Sequence, residues 1–230
     1  MRVLLAIEGC HARADRIRAC NHTWANGTTM PPSVTIVRFA GESESPDSIF
    51  DIVLPVGDKY LDLPHKTQAI VRYALDKGYD MVWKTDDDCY NQPTKLTDRE
   101  INAEYWGREN DGWGGYVSGV SYGLGRKAME VVANSTFQSD DPGMWEDVLV
   151  GKWVRQAGII RTLTDRVILI PKVGGHTRLN LPGLPQDFLG VGELDPKTMF
   201  DLHRLVISNK LIGSGKLSLP PRLFYPNFTR

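Results

Sequence analysis

Apolar runs alternate with helical patterns through the first half of the chain. The run that opens at Met1-Arg2-Val3 and closes at Ile7-Glu8 predicts a first strand over Val3 to Ile7. Arg13 to Trp24 reads as helical, with Ala14 and Ile17 on one side. Val34 to Phe39, rich in β-branched residues, predicts a second strand. Asp51 to Val56 predicts a third, closed by the turn signal Pro55-Val56-Gly57. Pro64 to Lys77 carries Ala69, Ile70, Tyr73 and Ala74 on one face and stops at Gly78, so it predicts a helix. Met81-Val82-Trp83 is a short buried strand that leads into Asp86-Asp87-Asp88. Strands alternating with helices argue for an α/β fold with a mainly parallel central sheet. In such sheets ligands sit beyond the carboxyl ends of strands, and the acidic triplet lies at such an end.

The second half is less regular. Asp98 to Gly115 is polar and rich in Trp and Gly. Leu124 to Asn134 predicts a helix. Pro142 to Ala157 predicts another, with Asp140 or Asp141 as its cap and Gly158 as its stop. Val167 to Ile170 predicts a strand, and Asp195-Pro196 opens a last helix that runs to about Lys210. The Pro-, Gly- and Ser-rich tail reads as loosely held. There is no repeat, low-complexity tract or evident linker, so one domain is the simplest account.

The chain has 230 residues, 41% hydrophobic and 24% charged, ordinary values for a globular protein. A formal net charge of -1 supplies no broad basic field, which argues against nucleic acid as a partner and leaves phosphate binding to a local site. The three cysteines, Cys10, Cys20 and Cys89, make neither a metal-ligand spacing nor a disulfide framework and read as reduced thiols. Asn-x-Ser/Thr sites occur at Asn21, Asn26, Asn134 and Asn227 and matter only in a secreted protein. The opening apolar run is too short for a signal peptide or a membrane span, so a cytoplasmic protein is expected.

Lys84-Thr85-Asp86-Asp87-Asp88 carries the sharpest chemistry. Adjacent carboxylates repel, and a divalent cation makes such clustering tolerable. Hard oxygen ligands suit Mn²⁺ or Mg²⁺, which in turn holds a diphosphate. If the segment stays extended, Asp86 and Asp88 share one side and Asp87 faces another. Asp88 is then the best metal ligand, and Asp86 faces the metal's outer shell or a ribose. The bland alternative is a solvated acidic turn.

Several blocks in order resemble the family 31 glycosyltransferases, the β-1,3-galactosyltransferase and fringe-like group. Arg16-Ile17-Arg18 followed by Thr23-Trp24 resembles the family's basic block, with extra residues between its halves. Asp58 to Thr67 is similar to its "D-x-Y-x-N-L-T-x-K-T" block, and Lys84 to Asp88 to "K-x-DDD". Tyr116 to Tyr122 resembles "Y-x-S-G-x-x-Y", and Trp145 to Gly151 resembles "W-x-EDV-x-x-G".

The resemblance implies a GT-A-type, Rossmann-like fold, a UDP-sugar donor, a divalent metal (usually Mn²⁺) and inversion at the anomeric carbon. It implies a nucleotide-sugar-binding half at about 1–110, an acceptor half at about 111–210 and a tail at 211–230. It favours Asp147 over Glu146 as the base that takes the acceptor proton. It places Gly119 near the donor sugar and the loop carrying Arg16 and Arg18 near the nucleotide. Lys66 would order the site through an acidic residue or a phosphate, unless it is simply exposed. His176, in Gly174-Gly175-His176-Thr177, is the candidate late metal ligand. Trp106 and Trp113 are weaker candidates for the acceptor side. Family members usually carry a membrane anchor, which is not read here, and that departure suggests a bacterial or viral enzyme. The competing readings are another metal-dependent sugar-nucleotide enzyme, such as a nucleotidyltransferase or hydrolase, and a binding module without turnover.

Overall fold

The computed structural model describes residues 1–25, 30–110, 116–138, 145–170, 172–173, 176–177, 184–185 and 187–212, with the backbone alone at 172–173, 176–177 and 209–212. Strand β1 (Val3–Glu8) is buried along its whole length, as its unbroken apolar run requires. Helix α1 (Ala14–His22) follows, then β2 (Val34–Glu42), β3 (Ile52–Gly57), α2 (Leu63–Asp76), β4 (Met81–Asp86) and the short β5 (Tyr90–Asn91). The second half holds α3 (Asp98–Ile101), β6 (Tyr105–Glu109), β7 (Val117–Gly125), α4 (Arg126–Asn134), α5 (Glu146–Gln156) and β8 (Thr162–Leu163). It ends with β9 (Val167–Leu169), β10 (Lys172–Val173), β11 (His176–Thr177), β12 (Gly190–Gly192) and α6 (Pro196–Ile212).

Seven strands form one sheet in the order β3-β2-β1-β4-β7-β6-β8. The first four are parallel. β7 runs antiparallel to both neighbours. Side chains alternate across β1. Leu4 and Ala6 face α2, α4 and α5, in one cluster with Ile70, Val71, Met129 and Leu149. Leu5 and Ile7 face the other layer, with Ile17 of α1 and Leu202 of α6. The result is a sheet between two helical layers.

The chain leaves β1 for β2 and β3 on one side and returns at β4 on the other. The strand order therefore reverses between β1 and β4, and their register pairs Glu8 with Asp86 at the carboxyl ends. A crevice forms at such a reversal because the two connections diverge. A second sheet of three strands, β5-β12-β9, closes over this edge.

Two expectations change. β6 and β7 occupy stretches that read as irregular. Almost every residue of β7 is buried, so no polar face alternates along it, and Gly119, Gly123 and Gly125 resemble turn residues. Trp145 is extended (φ -77°, ψ 113°), so α5 begins at Glu146 and no helix runs through from Pro142. Residues 139–144 lie outside the described set. The last helix starts as expected, with the Asp195 carboxylate accepting the Thr198 N–H at 2.7 Å. Among the described residues no helix is long and apolar enough to cross a membrane.

Candidate active site

A cavity of about 1120 Å³ opens at the carboxyl ends of β1 and β4. Glu8, Lys84, the Asp86–Asp88 turn, Gly119, Glu146, Asp147 and Glu193 all line it. Five separate stretches of sequence meet here, and the antiparallel course of β7 brings its amino end to the same edge.

Lys84 is the hub. Its side chain is 2% exposed, and its ammonium donates to Asp86 Oδ1 at 2.6 Å and to the Gly119 carbonyl at 3.0 Å. It lies 3.1 Å from Glu8 Oε2 and 3.3 Å from Glu146 Oε2. Burial alone would lower the lysine pKa, but Asp86, Glu146 and Glu8 outweigh it and push it well above the ordinary value. The carboxylates fare differently. Burial raises Glu8 despite Lys84, and burial with repulsion from Asp88 raises Asp86. Three carboxylates share the one Lys84 ammonium, so its charge does not offset the burial of Glu8 and Asp86.

Arg16 is the second cation, 3.2 Å from Asp87 Oδ1 and 3.0 Å from Asp88 Oδ2. Burial and the Asp88 charge push Asp87 up to about 6, against the pull of Arg16. Lys84 and Arg16 thus face five carboxylates between them, an excess of negative charge in a low-dielectric cleft. The extended geometry expected for the triplet holds only as far as Asp86. The strand ends there and Asp87-Asp88 is a turn, so Arg16 gathers Asp87 and Asp88 while Lys84 holds Asp86.

Among the described residues no three Asp, Glu, His or Cys side chains already form a cation cage. The donor chemistry still fits a hard divalent ion. Such ions are commonly held by one or two carboxylates, with phosphate and water completing the shell. Asp86 and Asp88 would supply such a pair, and the surplus negative charge favours a cation.

The two acids at the start of α5 are held differently. Glu146 is buried; its Oε1 accepts the Tyr122 hydroxyl and its Oε2 the Lys84 ammonium. Asp147 is half-buried at the cavity wall. Its Oδ2 accepts the Gly119 N–H at 2.9 Å and its Oδ1 the Val148 N–H at 2.9 Å. Gly119 permits this approach, since a Cβ there would lie 3.3 Å from Asp147 Oδ2 and 3.3 Å from Glu146 Oε2.

Arg16, Lys66, Asp86, Asp87, Asp88, Gly119 and Asp147 are therefore brought to one cavity. Lys66 is 1% exposed, and it donates to the Gly9 carbonyl at 2.8 Å and Asp58 Oδ1 at 3.1 Å. Asp58 also accepts the N–H groups of His11 (2.7 Å) and Gly41 (2.8 Å), so the pair braces the loop after β1. Arg18 points elsewhere: two helix positions from Arg16 turn it about 200° away, and it pairs with Asp47 at 2.5 Å. Trp106 is fully buried, edge-on to Trp83 at 5.6 Å, and belongs to the core rather than to an acceptor surface. The backbone of His176 lies in the two-strand β10-β11 ribbon; its side chain and Trp113 lie outside the described residues.

Sequence reasoning missed Glu8, Asp58 and Glu193. Glu8 had a signal, an acid closing a wholly apolar strand in the kind of sheet that binds at strand ends. Glu193 had none.

No protein-family model and no curated protein matches the chain. Its structure is similar to the crystal structure of a glycosyltransferase involved in the glycosylation of the major capsid of PBCV-1. The TM-score is 0.55 at 12% identity, over 89% of this chain and 100% of that one. The two share a fold: one α/β domain around a mostly parallel seven-stranded sheet.

Proposed function

We propose that the protein is an inverting, metal-dependent glycosyltransferase that moves a sugar from a UDP-sugar to a glycan hydroxyl, with a β-1,3 linkage. One observation carries the reading. The carboxylates of Glu8, Asp86, Asp87, Asp88 and Glu146 gather at the β1/β4 reversal, where they pair with Lys84 and Arg16, with half-buried Asp147 beside them. The family 31-like blocks supply the linkage and the UDP donor.

In this reading Asp86 and Asp88 would hold Mn²⁺ or Mg²⁺, with His176 as the late ligand. When bound, the cation would supply positive charge for the leaving diphosphate. Arg16 faces the phosphates. The acceptor oxygen bonds to the anomeric carbon as the bond to the diphosphate oxygen breaks, and that oxygen keeps the electron pair. Asp147 takes the acceptor's proton. Glu146 is buried and held by Lys84 and the Tyr122 hydroxyl, whereas Asp147 is half-buried and, among the described residues, accepts from two backbone N–H groups, which supports Asp147 as the base.

The test is UDP release from a panel of UDP-sugars with Mn²⁺, with and without alkyl glycoside acceptors. Release that rises with acceptor supports transfer. Release indifferent to acceptor indicates a hydrolase, and metal-dependent binding without release indicates a binding module.

A further inference from the structure

Glu193 is the one non-glycine residue with positive φ among the described residues, at 66°. In that region a side chain's Cβ crowds the following carbonyl, and glycine or asparagine is the usual solution. A long carboxylate there follows no local preference.

The backbone is held on both sides of it. Gly192 packs so closely on β7 that a Cβ would lie 2.1 Å from Val120 Cγ1. Leu194 is 1% exposed, and its N–H donates to the Asp88 carbonyl at 2.9 Å. The chain is thus pinned on both sides of Glu193, to the strand that carries Gly119 and to the acidic turn. Between these anchors Glu193 lines the cavity, half-buried, on the wall contributed by the second sheet. Strained non-glycine positions concentrate at functional sites, where the side chain's task outweighs its backbone cost.

We propose that Glu193 is a substrate-contacting residue that reads vicinal hydroxyls of a pyranose in the cavity. A carboxylate has two acceptor oxygens and accepts paired O–H donors, with the stronger hydrogen bonds of a charged acceptor. The neighbouring wall already carries surplus negative charge, so an uncharged polyol suits this position better than a phosphate does. The inference rests on the glycosyltransferase reading and names the residue that selects the sugar.

Three full-length variants test it: Glu193→Ala, Glu193→Gln and Glu193→Gly. They are assayed with the UDP-sugar and alkyl glycoside that the parent turns over. Expected is a drop of about tenfold or more in kcat/KM for Ala and Gly, the scale of one good hydrogen-bonded contact, with a smaller drop for Gln. Glu193→Gly should keep a thermal midpoint at or above the parent's, because glycine accepts positive φ. A purely structural role predicts the reverse, Gly as the most active variant.

The two sources of hydroxyls separate by kinetics. A raised donor KM with slower donor hydrolysis in the absence of acceptor assigns the donor sugar; a raised acceptor KM alone assigns the acceptor. Deoxy analogues lacking the contacted hydroxyl should cost the parent and leave the variants unaffected. Parent-like kcat/KM in Ala and Gly overturns the assignment while the glycosyltransferase reading stands. A parent without transfer on any donor overturns both.

Discussion

The Lys84 ammonium lies 2.6 Å from Asp86 Oδ1 and 3.1 Å from Glu8 Oε2, so one buried cation joins the ends of the two strands where the sheet order reverses. Removing one partner of a buried ion pair leaves charge without compensation, which commonly costs about 3–5 kcal/mol. Lys84→Met should therefore lower the urea unfolding free energy by about that amount. A loss under 1 kcal/mol would mean that Lys84 behaves as a surface pair does.

Asp147 and Glu146 are neighbours with different surroundings, and their isosteric amides should differ in kind. Asp147→Asn should lower turnover by about 10²–10⁴-fold, the usual worth of a positioned base, with near-parental unfolding. Glu146→Gln should act mainly on stability, because it disturbs the Tyr122 and Lys84 contacts. Near-parental transfer in Asp147→Asn with loss in Glu146→Gln would reverse the assignment.

The site was legible wherever its residues share a stretch of chain. The acidic triplet followed from a carboxylate run after an apolar strand, and Asp147 from a paired acid that resembles a family block. Lys66 was ambiguous because a lysine in a helix's first turn opposes the dipole. Its partner Asp58 precedes that helix, and only the folded loop brings the Gly9 carbonyl to it. The core strands β1 to β4 follow from continuous apolar or β-branched runs. β6 and β7 did not, because Gly107, Gly119 and Gly123 break their apolar runs and read as turn signals.

Asp58 gathers the His11 and Gly41 N–H groups as well as Lys66. Asp58→Ala strands all three donors and should cost about 3 kcal/mol. Lys66→Met should cost less, since Asp58 keeps two backbone partners. In both variants the loop that leads into α1 and Arg16 loses its brace, so affinity for UDP should fall, as read by calorimetry. Unchanged UDP affinity in both would separate this brace from nucleotide binding.

Glu100 gives the fold an acid-sensitive clasp. Burial raises its carboxyl, but hydrogen bonds from Thr97 and the Arg166 guanidinium at 2.8 Å outweigh burial and hold it below its ordinary value of 4.5. A group with a depressed folded pKa contributes stability that is fully present above its unfolded value. That contribution is lost as pH falls through the folded one. Stability should therefore decline below about pH 4.5, and Glu100→Gln should show a shallower decline across that window. Parallel profiles for parent and variant would remove Glu100 from the acid response.

On the proposed function, the surplus of carboxylates at the β1/β4 reversal serves a cation and a nucleotide sugar. Thermal unfolding is measured with a panel of UDP-sugars, with and without Mn²⁺. One UDP-sugar should raise the midpoint by several degrees only when Mn²⁺ is present, and Asp88→Asn should abolish the rise. No shift with any UDP-sugar, or the same shift without metal, would contradict that function.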